Sequence, residues 1–321
     1  MISVLLGLAS AVGYGAADFL GGIAARRIIA MLVTAVAALA GVAALTLAAP
    51  IDGGVWHLET TLVGFATGVT SCLGIWLLYS AYARGPMTTL APVVAIVSTV
   101  VPMSAGLLSG ETFSPLGWTA LVIGLVAIAL VSRPGAGERT RAHRVDVIKA
   151  AVAGAFLGVL YIHLDSAPLD AGLTPLTANR ISCAVLAFAI AGVLAWRSRG
   201  VHPVDVGGGG GAADAVGGVV RDAGGGGVMT VTATRVDTRR SVVIAAAVAI
   251  ACASGLLDAS ANTLFLVGLS FGDLSVLSVV SGFYPAVTIL LALLFLGERP
   301  SRLQTMGIVL ALAAMLGMSM A

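Results

Sequence analysis

Residues 85–116, GPMTTLAPVVAIVSTVVPMSAGLLSGETFSPL, and residues 272–303, GDLSVLSVVSGFYPAVTILLALLFLGERPSRL, are two versions of one pattern. Each opens on glycine, enters a long uncharged apolar run within two residues, closes on Gly-Glu and then reaches a serine ahead of another apolar run. Such a run, coiled as a helix, covers a hydrocarbon core of roughly 30 Å. Laid over one another at an offset of 187 residues, Leu90 meets Leu277, Val93 meets Val280, Leu107 meets Leu294, and Gly110-Glu111 meets Gly297-Glu298. The same offset sets Gly68 on Gly255, and Ser114 and Leu116 on Ser301 and Leu303, without a gap. This is the mark of an internal duplication.

Working outward, ten strongly apolar stretches fill the chain, at 2–24, 28–49, 61–82, 88–109, 115–132, 147–165, 173–195, 241–269, 274–296 and 301–320. A mean hydropathy of +1.05, with 59% hydrophobic and only 10% charged residues, leaves too little polar surface for a water-exposed globule. The stretches lack the alternation of a lipid-facing barrel strand, so the expected fold is all-α, with ten transmembrane helices. The first stretch has small residues around Ala9 to Ala11, as at a cleavage site. No basic residue precedes its apolar run, Asp18 lies inside it and Arg26 and Arg27 follow, which reads as a retained helix. Cys72, Cys183 and Cys252 fall inside predicted helices and form no metal or disulfide framework, so they read as packing residues.

Sixteen of the seventeen Lys and Arg residues fall at alternate gaps between helices. The first gap holds Arg26 and Arg27, the third Arg84, the fifth five basic residues from Arg133 to Lys149, the seventh six from Arg197 to Arg240, and the ninth Arg299 and Arg302. The even gaps hold Asp52, Glu59, Glu111, Asp170 and Asp273 and no base. By the positive-inside rule the odd gaps are cytoplasmic, both termini lie outside, and the chain is a multi-pass protein of the cytoplasmic membrane. The long seventh gap contains Gly207 to Gly211 and Gly224 to Gly227 and reads as a flexible linker; no Gly-Lys-Ser/Thr follows, so it is not a phosphate-binding loop. The expected organisation is a first five-helix repeat over 1–135 and a second over 145–321, interrupted by the Gly-rich loop at 200–238. An odd number of helices per repeat inverts the second against the first, an architecture suited to alternating access. The Gly-Glu-x-x-Ser signature reads as helix termination followed by capping, with Ser114 before Pro115 and Ser301 with Gln304 as N-terminal signals.

Together these features resemble the EamA family of the drug/metabolite transporter superfamily. The residues that carry the resemblance are Gly13-Tyr14-Gly15-Ala16-Ala17-Asp18-Phe19, Ala81-Tyr82-Ala83-Arg84-Gly85-Pro86 with Ala91-Pro92-Val93, and Gly110-Glu111. In the second half they are Tyr284-Pro285-Ala286, Leu296-Gly297-Glu298-Arg299 and the helix around Gly307. The resemblance implies a secondary transporter, commonly an exporter of amino acids, other metabolites or drugs. Proteins of that family are usually thought to keep both termini in the cytoplasm; the charges of this chain argue the reverse.

Ionisable residues inside a membrane helix cost about 2.5–3.5 kcal/mol on insertion scales and therefore mark candidate sites. Asp258 with Asn262 one turn later is the best polar cluster, and Arg180, with Asn179 beside it, is the one base away from the odd gaps. Arg180 either pairs with Asp258, accepts a solute carboxylate, or snorkels to the outer headgroups. Asp18 lies in the first helix, about 12 Å from Arg26 along the axis. Tyr14, Trp76, Tyr79 and Tyr284 are candidates for an aromatic cavity or, alternatively, for packing and interfacial anchoring. His163 and Asp165 read as interfacial. Small residues spaced by four, Gly7, Ala11 and Gly15 or Gly64 and Gly68, read as helix contacts. The expected function is alternating-access transport of a small polar metabolite, amino acid or drug, with no cofactor, no metal and no nucleic acid. The partners are the bilayer, the small-molecule substrate and a proton or another coupling ion. The alternatives are a non-transporting structural or channel subunit, and an intramembrane aspartyl protease built on Asp18 and Asp258, for which the Gly-x-Gly-Asp pattern is missing.

Overall fold

The computed structural model describes residues 1–110, 114–131, 143–166, 168–199, 238–296 and 302–319, and among these it is helical with no strand. The helices are α1 (Ile2–Ala25), α2 (Ala30–Asp52), α3 (Leu58–Tyr82), α4 (Met87–Leu108), α5 (Pro115–Val131), α6 (Arg144–Asp165), α7 (Thr174–Arg199), α8 (Thr238–Leu269), α9 (Leu274–Ser281), α10 (Tyr284–Leu296) and α11 (Arg302–Ser319). A 3-10 turn, Leu169–Ala171, precedes α7. Among the described residues, seven segments are long and apolar enough to cross a membrane: α1, Ala30–Ala49, α3, α6, Thr174–Arg197, Ser241–Leu269 and Leu274–Ala292. Shorter apolar segments lie at Val93–Leu108 and Pro115–Ala127. Apolar side chains such as Leu47, Leu62, Val185, Leu194, Leu294 and Phe295 stand exposed around the bundle, as lipid-facing residues do.

One expected helix is broken. The run 274–296 divides into α9 and α10 at Gly282 and Phe283, where the backbone bonds shorten to Phe283 N–H on the Val280 carbonyl and Ala286 N–H on the Phe283 carbonyl. Pro285 favours the break, since it has no N–H to give the Ser281 carbonyl and its ring crowds that carbonyl. The break packs close to α4, since a Cβ on Gly282 would fall 2.1 Å from Thr99 Oγ1.

The termination signals act as their chemistry dictates where they are described. Gly110 follows α4 at φ 98°, a conformation suited to glycine. Ser114 Oγ then accepts the Gly117 N–H at 3.1 Å, capping α5. Glu111, Gly297-Glu298, Ser301 and the Gly-rich loop lie outside the described residues, as do Arg133, Arg139, Arg141, Arg221, Arg235 and Arg299.

Packing is dominated by contacts between the first five helices and the rest. α1 lies on α8, α9 and α10; α3 lies on α6 and α7; α2 lies on α7 and α8; α4 lies on α6, α9 and α10; and α5 lies on α11. The small residues allow the close approaches. A Cβ on Gly68 would sit 2.5 Å from the Asn179 carbonyl of α7, and one on Gly255 would sit 2.0 Å from the Ala37 carbonyl of α2. Gly64 meets α7 at Pro175 and Ala178, while Gly7 and Gly15 meet α9 and α10. Interhelical hydrogen bonds reinforce these seams: Ser10 donates to the Ala261 carbonyl, Ser254 to Ala17 and Thr288 to Gly15.

Candidate functional site

Where these helices converge, the bundle holds a cavity of about 530 Å³ of empty space including its mouth, of which about 30 Å³ is open to the centre of a water molecule. That smaller volume is room for about two waters, so the site as it stands is narrowed. α1 presents Tyr14 and Asp18, one turn apart. α3 presents Ser71, Ile75, Leu78 and Tyr79, which share a helical face, and α8 presents Asp258 and Asn262 in the same i, i+4 relation. Arg180 enters from α7, Tyr161 with Leu157 and Leu160 from α6, Ser98 from α4 and Tyr284 from the first turn of α10.

Arg180 Nη2 donates to Asp258 Oδ2, forming an ion pair across α7 and α8. Arg180 is 3% exposed, so it turns into the bundle and does not snorkel to the headgroups. Its Nε has no hydrogen-bond partner among the described residues. Tyr14 OH donates to Asn262 Oδ1 at 3.0 Å, and Asn262 Nδ2 donates to the Asp258 carbonyl at 2.8 Å, so the α8 face is held in place from α1. Asp18 receives only a long bond from Tyr82 OH, 3.4 Å, and no Lys, Arg or His among the described residues pairs with it. Tyr79 OH and Ser254 Oγ lie 3.0 Å apart, and Gly21 makes this possible: a Cβ there would fall 2.3 Å from the Tyr79 ring.

Of the residues expected at a site, the fold gathers Tyr14, Asp18, Tyr79, Arg180, Asp258, Asn262 and Tyr284 around one cavity. Two expectations do not fit this geometry. Trp76 points elsewhere, packing partly buried against Met31, Cys72 and Cys183. Asn179 is fully buried behind the wall, donating to Thr67 Oγ1 at 3.2 Å and Ser71 Oγ at 3.0 Å, and so ties α7 to α3. His163 and Asp165 do not line the cavity, and Asp165 is exposed near the end of α6. Tyr161 was not foreseen: it stacks on Phe265 with ring centres 4.4 Å apart and stands 6.0 Å from the Tyr14 ring. Among the described residues no group of three or more His, Cys, Asp or Glu is placed to hold a metal.

A bundle of membrane-length apolar helices around a charged internal cavity defines a multi-pass integral membrane protein. Residues 226–320 match the EamA-like transporter family, part of the drug/metabolite transporter superfamily. No curated protein matches the sequence. A solved structure, titled only "Crystal structure of protein", is similar at a TM-score of 0.60 and 16% identity, over 97% of this chain and 96% of its own. That is a likeness of fold.

Proposed function

We propose that the chain is a secondary transporter that carries a small polar metabolite, amino acid or drug by alternating access, in the export direction. In this reading it makes ten crossings as two inverted five-helix repeats, 1–135 and 145–321, with α9 and α10 as one broken crossing and the Gly-rich segment 200–238 inside the second repeat. Both termini lie outside the cytoplasmic membrane. The export direction rests on the family resemblance, the orientation on the Lys/Arg pattern.

The observation that carries the reading is the place of the cavity relative to the duplication. At the 187-residue offset Ser71 corresponds to Asp258 and Ile75 to Asn262, and all four line the same cavity. Packing partners exchange in the same way. Swapping halves turns the α1–α8 contact into α6–α3, α3–α7 into α8–α2, and α4–α6 into α1 with α9 and α10. Gly68 and Gly255, equivalent at that offset, do the same work at the α3–α7 and α8–α2 seams. A site between two such halves opens to either side as one half rocks on the other. The even loops also meet: Val55 N–H donates to the Asp170 carbonyl at 2.8 Å, which puts the α2–α3 and α6–α7 connections at one end of the bundle. The protease alternative loses its second carboxylate, because Asp258 is held by Arg180 and cannot share a proton as a paired dyad does.

The test is counterflow in proteoliposomes, with labelled amino acids, nucleosides and organic cations offered against unlabelled internal solute. Accumulation of one class, lost in Asp258→Asn, supports a carrier. Cleavage of a peptide by the same preparation, without counterflow, would replace it with the enzyme.

A further inference from the structure

The chain has five tyrosines, and all five meet at this site. Tyr14, Tyr79, Tyr161 and Tyr284 line the cavity from α1, α3, α6 and α10, and Tyr82 is bonded to Asp18. No described Phe or Trp lines it. Four of the five hydroxyls are committed to the protein: Tyr14 to Asn262, Tyr79 to Ser254, Tyr82 to Asp18, and Tyr284 to the Ala91 carbonyl at 3.5 Å. The rings are braced against one another as well, with Tyr14 tilted 6.0 Å from Tyr161 and edge-on 6.5 Å from Tyr284. What this arrangement offers a guest is aromatic ring surface.

The charges point the same way. The ionisable acids and bases lining the cavity are Asp18, Asp258 and Arg180. Arg180 is charge-balanced by Asp258, which leaves Asp18 as an acidic side chain that no cation among the described residues pairs. A solute carboxylate would compete with Asp258 for a buried guanidinium that Asp258 already neutralises, whereas a solute ammonium meets an acid that no described cation pairs, inside a ring of tyrosines. Rings that carry negative charge on their faces attract an ammonium, and aromatic cages hold alkylated ammonium groups in this way.

We propose that the solute of this site is a small organic cation, an alkylammonium neutralised by Asp18 and enclosed by Tyr14, Tyr79, Tyr161 and Tyr284. The inference rests on the carrier reading for the meaning of "solute", but it is a statement about binding and is tested as binding.

Four probes of matched shape separate the possibilities: choline (cation), 3,3-dimethylbutan-1-ol (its neutral isostere), glycine betaine (zwitterion) and 3,3-dimethylbutanoate (anion). Each is titrated against purified protein by thermal shift and then offered in counterflow. A ligand that binds only the folded state raises the melting temperature with concentration. Choline is expected to do so in wild type and Asp18→Glu and to fail in Asp18→Asn, with the neutral isostere inactive throughout. Tyr161→Leu should weaken choline by roughly 2- to 30-fold, while Tyr161→Phe, which keeps the ring, stays close to wild type. If Asp18→Asn does not fold, as judged by size-exclusion profile, the Tyr161 pair and the isostere comparison still decide. Equal shifts from choline and the alcohol, shifts from betaine or the anion alone, or no shift from choline would overturn the proposal. Counterflow of betaine without choline would end the cation assignment and leave the carrier standing. Asp18-dependent choline binding without counterflow would do the opposite.

Discussion

Asp258→Asn tests whether the Arg180–Asp258 pair is a structural or a working element. The substitution keeps size and removes the charge, leaving a guanidinium whose side chain is 4% exposed and whose Nε already has no hydrogen-bond partner among the described residues. Removing one member of a buried ion pair costs about 3–5 kcal/mol, because the survivor is stranded. Arg180→Gln should cost less, since the Asp258 side chain retains 23% exposure toward the cavity. The double variant Asp258→Asn with Arg180→Gln strands neither charge and should recover most of the loss, giving a strong coupling in the double-mutant cycle. In a detergent melting experiment the single Asp258→Asn change should lower the midpoint by on the order of 5–10 °C, with the double variant near wild type. Transport gives the second axis. If the charges belong to the translocation site, the double variant is stable and inactive; recovery of both stability and flux would reduce the pair to a structural role. An Asp258→Asn protein that melts with wild type would refute the argument from burial.

Three further outcomes follow from the packing. Gly255→Ala places a methyl against the Ala37 carbonyl and must part α8 from α2, so it should lower detergent stability by about 3 kcal/mol or more, whereas Gly192→Ala, with nothing within 4 Å, should be tolerated. Gly21→Ala should displace the Tyr79 ring and weaken binding of any solute that thermal shift identifies, with less effect on the melting of the empty protein. Asn179→Ala removes the bonds to Thr67 and Ser71 and should cost about 1–3 kcal/mol in the same melting assay.

The membrane helices were legible because hydropathy over some 20 residues needs no knowledge of partners. The break between α9 and α10 carried a signal in Gly282 and Tyr284-Pro285, yet Pro102 sits within an unbroken α4, so proline alone does not decide it. Asp18, Arg180 and Asp258 stood out because charge is costly in hydrocarbon, and cost implies compensation nearby. Which neighbour shares the site depends on helix phase. Asn179 and Trp76 sit one residue from Arg180 and Ile75, and a turn of about 100° per residue sends both away from the cavity. Tyr161 was hidden beside His163 and Asp165, the more conspicuous residues of α6. Its sign was compositional: a chain with nine Phe and only five Tyr had reason to place each hydroxyl where a partner exists.

The most direct test of the central claim, a site between two rocking halves reached from each side in turn, needs no substrate. Ser71→Cys, in a background freed of Cys72, Cys183 and Cys252, puts one thiol on the cavity wall in proteoliposomes of known orientation. A membrane-impermeant thiol reagent should label it from the outside and, in separate samples, from the inside, while the reagent itself does not cross. Labelling from one side only, from neither, or accompanied by free passage of the reagent would contradict alternating access.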